Sequence, residues 1–460
     1  MEVIKPYSTY KDSGIPWLGE VPKHWIEFKP KTIGYLFGGL TGKKGDDFKI
    51  EKEINISPFI PFTNIANNFI IDKNKLAFVK TLENEKQNLV QKNDLLFLMS
   101  SENFEDIGKT SLLNDEIDGL YLNSFCKGFR IEDSNFYPKF LNYIFSADVN
   151  RKRLSVEARG FTRINLKIGK VNDLAMFAPA NISEQTAIAN FLDYKTAKID
   201  RFIFKKKQLI KLLNEQKAGI INDTVTKGLN PNAKIKPSGI EWLGDIPEHW
   251  DLVKLKYLCK ITTGNKNTED KVENGLYDFF VRSQKIAKIN SYSFEGEGIL
   301  TAGDGVGVGK VFHYINGKCD YHQRVYLFYE FFKNISAKYL FYFLQKFLKN
   351  ELMIYNAKST VDSVRLPVLK DFLVTVPQFS EQLQIVAHIE KETAILSKTI
   401  ATIEKEIALV QEYRTALIAE AVTGKIDVRE YNVPSFEEDK EYVELEEEMG
   451  LVAEEEINLD

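Results

Sequence analysis

The stretch "SGIPWLGEVPKHW", residues 13–25, returns 225 residues later as "SGIEWLGDIPEHW", residues 238–250. Nine of the thirteen positions are identical, and all four tryptophans of the chain lie in these two segments, which we call the boxes. Proline and glycine fix turns while tryptophan adds a large apolar surface, so each box predicts a rigid structural clasp. We expect the histidines inside them, His24 and His249, to pack or hydrogen-bond beside the tryptophans.

A second phrase is also duplicated. "ISEQTAIANFLDYKTAKID" begins at Ile182, and "FSEQLQIVAHIEKETAILS" begins at Phe379, 197 residues later. The smaller offset means that the region between the box and the second phrase differs in length between the copies, while the flanking sequences on both sides remain similar. The chain is therefore predicted to be a tandem duplication with a shared frame and different fillings.

The second phrase opens a long helix in each copy, with Ser183 and Ser380 as the expected N-caps. Apolar residues then recur with a heptad spacing, which predicts a coiled-coil seam interrupted by Lys206 in the first copy. Each helix is expected to run for about 40 residues and to stop near a glycine, Gly228 or Gly424. The short connection 229–239 leads directly into the second box and favours antiparallel pairing, although a parallel pair or pairing with other proteins is also open.

Composition indicates a multidomain globular protein, because 460 residues with 44% apolar content can build several ordinary cores. The chain shows no secretory pattern at its start and no run of about 18 apolar residues, so we expect no membrane contact and a cytoplasmic location. The three cysteines stand far apart without a Cys-x-x-Cys pair. They are expected to be reduced and structural, with no disulfide framework or zinc site.

The charge is unevenly distributed. Residues 430–460 carry thirteen acidic side chains and one lysine, a net charge of −12, so the total of −4 leaves +8 on residues 1–429. A positive excess is compatible with an anionic partner such as nucleic acid. The acidic end is expected to be a solvated, largely disordered tail, and an alternative is that it screens a basic surface until a partner arrives.

The segment "TAGDGVGVGKVF", residues 301–312, is the obvious candidate for a phosphate cradle. It fails the Walker pattern, because Asp304 replaces a required glycine and Val311 a required Ser or Thr. The corresponding stretch of the first copy, residues 96–113, keeps only Gly108 and Lys109. This Gly-Lys turn is expected to present backbone groups and a cation to DNA, and the alternative is a plain glycine hairpin. The histidines form no metal pair and no nucleophile motif appears, so we expect no catalytic site, no metal and no cofactor in this chain.

Basic residues interleave with aromatic and polar residues in both copies, and arginine can clamp phosphate or fork onto guanine. The alternative for any single residue is an ordinary solvated surface charge. The candidate nucleic-acid-binding residues are Lys109, Arg151, Arg153, Arg159, Arg163, Arg282, Lys285, Lys310, Arg324, Lys358 and Arg365.

The boxes, the Gly-Lys turns, the "SEQ" helix starts and the "VTKG" and "VTG" helix ends together resemble the specificity subunit of type I restriction-modification systems. The resemblance implies an α+β fold: a tandem duplication of a mixed α/β DNA target-recognition domain, each copy followed by a long helix, with the two helices forming an antiparallel coiled coil. It also implies that each domain reads one half of a bipartite, asymmetric target in double-stranded DNA. The implied partners are two modification (methyltransferase) subunits, which methylate adenine with S-adenosylmethionine, and ATP-dependent restriction subunits that cut DNA.

These expectations divide the chain into five parts: a first target-recognition domain (1–181), a first helix (182–228), a second domain (229–378), a second helix (379–425) and an acidic tail (426–460). A different class of function stays open, namely a tandem adaptor that binds proteins through its coiled coil and reads no DNA sequence. An enzyme with an undetected site rests on no motif.

Overall fold

The computed structural model describes residues 5–48, 56–82, 85–160, 162–332, 334–356 and 363–434. It divides into two compact units: unit 1 comprises residues 1–205 with 406–460, and unit 2 comprises residues 206–405. This division falls within both long helices, whereas the domain limits predicted from the sequence fall just before them. Those limits stay a prediction.

The described part of unit 1 contains short strands and helices. The strands are β1 (Tyr10–Asp12), β2 (Glu20–Pro22), β3 (Trp25–Phe28), β4 (Gly34–Gly38), β5 (Ile56–Ile60), β6 (Ala77–Lys80), β7 (Leu95–Leu98), β8 (Ser100–Ser101), β9 (Thr110–Leu112), β10 (Tyr121–Leu122), β11 (Cys126–Ile131), β12 (Ile164–Asn165) and β13 (Met176–Pro179). The helices that begin here are α1 (Pro30–Ile33), α2 (Phe62–Asn67), α3 (Pro138–Ser146), α4 (Asp148–Glu157), α5 (Ile168–Asn172) and α6 (Ile182–Lys227).

Unit 1 is built on a four-stranded sheet with the order β4-β11-β7-β9 and a three-stranded sheet with the order β10-β5-β6. Strand β7 is an apolar run, "LLFL", that is buried along its whole length because apolar clusters cover both of its faces. Phe97 packs with Phe145 of α3 in one cluster, and Leu96 and Leu98 belong to the other.

Unit 2 continues with β14 (Ile235–Pro237), β15 (Asp245–Pro247), β16 (Asp251–Lys254), β17 (Lys260–Thr263), β18 (Tyr277–Phe280), β19 (Ala287–Ile289), β20 (Phe294–Ala302), β21 (Phe312–Tyr321), β22 (Val325–Tyr329) and β23 (Leu373–Val376). Its helices are α7 (Ala337–Asn356), α8 (Leu366–Asp371) and α9 (Phe379–Val422).

A single six-stranded sheet, with the order β17-β22-β20-β21-β18-β19, forms the centre of unit 2. Strand β20 lies inside this sheet, and its successive side chains point to opposite faces. Ile299 packs in the cluster that contains Tyr339 and Phe343 of α7, whereas Leu300 packs in a second cluster with Phe280. The predicted difference between the two copies is therefore a difference in their central sheets: unit 1 has a four-stranded and a three-stranded sheet, and unit 2 has one six-stranded sheet.

The frame around these sheets is the same in both units. Each box closes a two-stranded ribbon, β1-β2 in unit 1 and β14-β15 in unit 2, with corresponding registers. The strand that follows each box pairs antiparallel with the strand that leads into a long helix, β3 with β13 and β16 with β23. The predicted tandem duplication of a mixed α/β domain is confirmed.

The two long helices begin at residues 182 and 379, the first residues of the predicted ranges, but the predicted N-cap residues are not the caps. The side-chain oxygen of Asn181 accepts a hydrogen bond from the backbone N–H of Ser183 at 2.8 Å, so Asn181 caps α6 and the predicted Ser183 cap is wrong. Ser380 likewise lies inside the first turn of α9, which starts at Phe379. The predicted glycine stops are confirmed, because Gly228 and Gly424 follow the helix ends with φ values of +74° and +71°.

Within each unit the two helices pack in opposite directions. In unit 1 the first half of α6 contacts the last half of α9, where Ile203 and Leu417 share one apolar cluster. In unit 2 the last half of α6 contacts the first half of α9, where Val225 and Ile389 share another cluster. In both units the beginning of one long helix packs against the end of the other, which confirms the predicted antiparallel coiled coil.

The first residues of the predicted acidic tail pack on unit 1. The backbone N–H of Asp427 donates to the carbonyl of Lys5 at 2.8 Å, and the ring of Tyr431 lies 4.9 Å from that of Phe191 on α6. Residues 435–460 lie outside the described residues.

Candidate nucleic-acid interface

Each box is bound to the first turn of one long helix by contacts between its histidine and tryptophan and a glutamate of that turn. In unit 1 the carboxylate of Glu184 accepts hydrogen bonds from Tyr7 Oη at 2.9 Å and Trp25 Nε1 at 3.0 Å, and it contacts His24 Nε2 at 2.9 Å. Burial and the charge of Glu184 raise the pKa of Tyr7, which therefore stays a donor. His24 and Trp25 contact the same carboxylate, so the box histidine forms a polar contact beside the tryptophan, as predicted.

Unit 2 repeats this arrangement with Glu381, which contacts His249 Nε2 at 3.0 Å and accepts from Trp250 Nε1 at 3.2 Å. The two indole rings also lie against the glycines that end the opposite helices. A Cβ on Gly228 would come within 3.1 Å of Trp250, and one on Gly424 within 3.3 Å of Trp25. The boxes are clasps that tie a helix start, a helix end and a sheet together.

Each unit also carries one equivalent loop, which we call the GK loop: residues 100–109 in unit 1 and 304–310 in unit 2. At its base the carbonyl of Met99 accepts from Leu166 N at 2.8 Å, and that of Gly303 accepts from Val364 N at 2.8 Å. At its end Lys109 N donates to the carbonyl of Asp106 and Lys310 N to that of Gly307, both at 3.1 Å.

The GK loop of unit 2 lies beside two arginines. Asp304 Oδ1 accepts from Nη1 of Arg282 at 2.9 Å, and Asp304 Oδ2 accepts from Nη1 of Arg324. Burial raises the pKa of Asp304, but the hydrogen bonds from the two arginines outweigh it and hold that pKa below its usual range. The carboxylate is therefore charged at neutral pH and holds two cations that come from different segments of the chain.

Backbone contacts hold the two arginine-bearing segments against the loop. A Cβ on Gly307 would lie 2.5 Å from the carbonyl oxygen of Arg282, and one on Gly303 would lie 3.0 Å from that of Arg324. A Cβ at position 307 would clash with that oxygen, and one at position 303 would be tighter than an ordinary contact, so glycine suits both close approaches. The glycine run thus lets the loop pass between both segments.

Two buried histidines support the same segments. His322 Nδ1 accepts from the backbone N–H of Arg324 at 3.0 Å, and His313 Nε2 donates to the carbonyl of Ser283, next to Arg282, at 3.1 Å. Burial lowers the pKa of both, and in His322 the charges of the two arginines add to this effect. Both imidazoles are therefore neutral at pH 7.

The remaining candidates of unit 2 are exposed at or near this loop. Arg365 follows Val364, which is bonded to Gly303, and Lys310 ends the loop itself. Lys285 lies in the turn after Arg282 and is exposed. Lys358 lies outside the described residues.

The unit 1 candidates are arranged differently. The guanidinium of Arg163 lies 4.1 Å from the ring of Phe125, and its Nη2 is 3.7 Å from Glu102 in the GK loop. Arg151 donates to the carbonyl of Glu105, and Arg159 donates to carbonyls of its own segment, including that of Ala158 at 2.9 Å. Arg163 is thus bordered by an aromatic ring and a carboxylate, whereas the GK loop sequence of unit 2 has no aromatic residue and one carboxylate, Asp304.

Two candidates are engaged within the fold. Lys109 Nζ donates to the carbonyl of Ala66 at 2.9 Å and to Asp106 at 2.7 Å. Arg153 lies 4.5 Å from the ring of Trp17 and donates to the carbonyl of Ala175 at 3.1 Å. Their predicted DNA contacts stay predictions, but both side chains already have structural partners.

Sequence reasoning missed three residues of this surface: Asp304, Val306 and Phe125. Val306 forms the tip of the unit 2 loop and is 88% exposed. Asp304 departs from the phosphate-loop pattern, and its sequence neighbours do not reveal that Arg282 and Arg324, 22 and 20 residues away, lie beside it in the fold. Phe125 gave no signal, since its contact with Arg163 depends on the fold.

The described residues contain no group of three or more His, Cys, Asp or Glu side chains placed to hold a metal ion. The three cysteines are free and buried, and burial raises the pKa of each thiol to about 12. Among the helices of the part that the structure describes, none is both long and apolar enough to cross a membrane.

Comparison with known proteins agrees with this architecture. Residues 247–409 match the family model of the type I restriction modification DNA specificity domain. The MjaVIII type I specificity subunit of Methanocaldococcus jannaschii is 24% identical over 437 residues, covering 90% of this chain and 95% of that protein. The chain is therefore similar to type I restriction-modification specificity subunits over most of its length.

Other relatives cover less or share only the fold. The EcoDI specificity subunit of Escherichia coli is 27% identical over 183 residues, which span 40% of this chain and 40% of that subunit. A chain from a solved type I restriction-modification system superposes with a TM-score of 0.68 at 14% identity, covering 88% of this chain and 99% of the other. At this level of identity the likeness shows that the two chains share a fold.

Proposed function

We propose that this chain is the DNA-reading subunit of a type I restriction-modification complex. Its two units read the two halves of an asymmetric, bipartite target. The observation that carries this proposal is that the two units share one backbone framework but place different side chains around their GK loops. Corresponding backbone bonds, Met99 to Leu166 and Gly303 to Val364, support a loop bordered by aromatic and acidic groups in unit 1 and by paired arginines in unit 2.

Different side chains on the same frame suit the reading of different bases. DNA sequence is read by hydrogen bonds and apolar contacts to base edges, whereas contacts to phosphate only position a protein. Exposed Arg163 and Phe125 in unit 1 and exposed Arg282, Arg324 and Arg365 in unit 2 offer both kinds of group. Two unlike surfaces are expected to read two unlike half-sites.

The long helices are proposed to bind the modification subunits and to set the gap between the half-sites. Apolar side chains remain exposed on their surfaces: Leu212 of α6 is 60% exposed and Leu409 of α9 is 64% exposed. Such residues are suited to burial against a partner helix. Catalysis, with its S-adenosylmethionine and ATP, is assigned to the modification and restriction subunits, and this chain is proposed to be non-catalytic and without a cofactor.

The experiment is to express the chain with its cognate modification subunits in a host that lacks adenine methylation, and to map methylated adenines across the genome. We expect a two-part asymmetric motif with a fixed gap. Replacing the unit 2 filling between β16 and β23 with that of another family member should change one half of the motif and leave the other half and the gap intact.

Two outcomes would contradict the proposal. If the complex assembled but no adenine were methylated, the alternative of a coiled-coil protein adaptor without sequence reading would be favoured. If the replacement changed both halves together, the units would not read independently. A matched replacement of the unit 1 filling between β3 and β13 serves as the reciprocal control.

A further inference from the structure

The contact of Asp304 with two arginines defines a specific site in unit 2. We propose that Arg282 and Arg324, positioned by Asp304, read guanine bases in the major groove of the half-site bound by unit 2. This inference rests on the proposed DNA-reading function and adds the class of base recognised. One guanidinium reads at most one guanine, so the pair specifies one or two.

The geometry leaves the required donors available. Each arginine uses Nη1 for Asp304, and among the described residues no other side chain partner is found for either guanidinium. Nε and Nη2 of each group then form the two-pronged donor that matches O6 and N7 of guanine. The arginine side chains are 42% and 60% exposed, whereas that of Asp304 is 14% exposed, so the carboxylate lies beneath its two cations.

The site is also held in place before DNA arrives. Asp304 fixes both side chains, while His322, the carbonyl contacts at Gly303 and Gly307, and the bond from His313 to Ser283 fix the segments that carry them. An arginine restrained in this way loses less conformational freedom on binding. Because both Nη1 atoms contact one carboxylate, the two groups are close enough for adjacent base pairs about 3.4 Å apart.

Charge favours a base over a phosphate as the ligand. A phosphate would meet the repulsion of Asp304 as well as the attraction of the arginines, and a phosphate contact does not need a fixed fork. Guanine presents two acceptors to the major groove and carries no charge. Adenine presents one acceptor beside an amino donor, thymine one acceptor beside a methyl group and cytosine an amino donor, so guanine is the one base whose two adjacent acceptors match the fork.

The corresponding position of unit 1 does not carry this site. Asp304 follows Gly303 as Ser100 follows Met99, and both Gly303 and Met99 accept the same backbone bond at the base of the loop. A serine there offers no charge to hold two arginines. Guanine reading by an arginine pair is therefore expected in one half of the target only.

The test uses the complete complex with its modification subunits. In Arg282→Lys and Arg324→Lys the charge is kept and the fork is lost. Each is expected to relax a guanine requirement in the half-site of unit 2, with a roughly 10- to 100-fold loss of discrimination against other bases at that position. Affinity for unrelated DNA should stay unchanged. Arg163→Lys, an arginine of unit 1 that is 43% exposed, is the matched control and should leave this half-site intact.

Asp304→Asn separates positioning from charge. Removing the carboxylate charge should strengthen binding to unrelated DNA while the ratio of specific to unrelated affinity falls. A residue with a purely structural role would weaken both. The half-site that belongs to unit 2 is identified by replacing the unit 2 filling between β16 and β23.

The outcomes separate this inference from the function on which it rests. A bipartite motif without guanine in the unit 2 half, or lysine variants that leave the motif unchanged, would overturn the guanine-reading inference and leave the proposed function standing. Absence of any bipartite motif in the unaltered complex would overturn both.

Discussion

The indole N–H of Trp25 donates to the carboxylate of Glu184 at 3.0 Å, and this bond joins the first box to the start of the first long helix. Both side chains are buried, and Tyr7 and His24 share the same carboxylate. The contact explains why a Trp-containing phrase and a "SEQ" phrase are duplicated together, since each supplies half of one clasp.

Replacing Glu184 with alanine should destabilise unit 1 strongly. The indole N–H and the Tyr7 hydroxyl would then be buried without an acceptor, which costs about 1–3 kcal/mol for each group. We expect the free energy of unfolding to fall by about 2–5 kcal/mol, measured by urea unfolding with tryptophan fluorescence. Glu381→Ala is the matched control with a smaller loss, because Glu381 is 23% exposed and accepts from one buried donor, Trp250 Nε1, while its other partner, His249, is half-exposed. Equal losses would contradict this account of burial.

Gly424→Ala should be destabilising, because this glycine has a φ of +71° and an added Cβ would lie 2.3 Å from Pro22 Cδ. Left-handed backbone and overpacking each cost about 1–3 kcal/mol, so we expect a loss of about 2–5 kcal/mol in thermal or urea unfolding. Gly219→Ala is the control: Gly219 lies within α6 with open space around its Cβ position, and its replacement should stabilise the protein by up to about 1 kcal/mol. A neutral Gly424→Ala variant would contradict the close packing of the clasp.

The duplicated frame and the helix pair could be predicted from the sequence because their signals are local. A repeated phrase reveals a repeated fold, a heptad spacing reveals a coiled-coil seam, and a glycine after it reveals the helix end. The N-cap of α6 is misplaced by sequence reasoning because Asn181 precedes Ser183 and caps equally well.

The pairing of arginines could not be predicted in the same way. Arg282, Asp304 and Arg324 meet because β18 pairs parallel with β21 in a sheet whose strand order does not follow the chain. Arg153 is a candidate DNA contact by its charge alone, but the fold brings Trp17 against it. Charge and residue type indicate a kind of contact, whereas only tertiary pairing decides which arginines face solvent and which support the core.

Unit 2 should lose stability as the pH falls below about 6.5, the usual pKa of histidine. His313 and His322 have lowered pKa values in the folded state, so the unfolded chain binds more protons and acid favours unfolding. The stabilising contribution of each neutral imidazole is complete above the unfolded pKa and is lost as the pH falls towards the folded one. Melting temperatures at pH 7.5 and about 5.5 measure the loss, for which we expect a fall of a few degrees, about 2–4 °C for each kcal/mol.

His322→Asn tests this assignment, because asparagine retains an acceptor near the Nδ1 position for the Arg324 N–H but does not titrate. The fall in melting temperature between the two pH values should be smaller in this variant than in the unaltered protein. An identical fall would assign the acid sensitivity to other groups.

Deleting residues 435–460 should strengthen binding to unrelated DNA at low salt. These residues carry twelve acidic side chains and one lysine, so their removal changes the net charge of the chain from −4 to +7. The segment leaves the described structure just after Tyr431, which packs beside Lys195 and Phe191 on α6. A net negative segment tethered there opposes the approach of DNA to nearby basic groups.

Fluorescence anisotropy with a duplex that lacks the target measures this effect. We expect a several-fold gain in affinity at about 0.05 M salt that disappears at about 0.3 M, because screening shortens the range of the repulsion. A chain of full length with the twelve acidic residues changed to Gln or Asn separates charge from length and should behave like the deletion. If the chain with the neutral tail bound DNA as weakly as the native chain, the tail would act by occupying space and not by its charge. If the gain in affinity after deletion persisted at high salt, the tail would act through a direct contact and not through long-range repulsion.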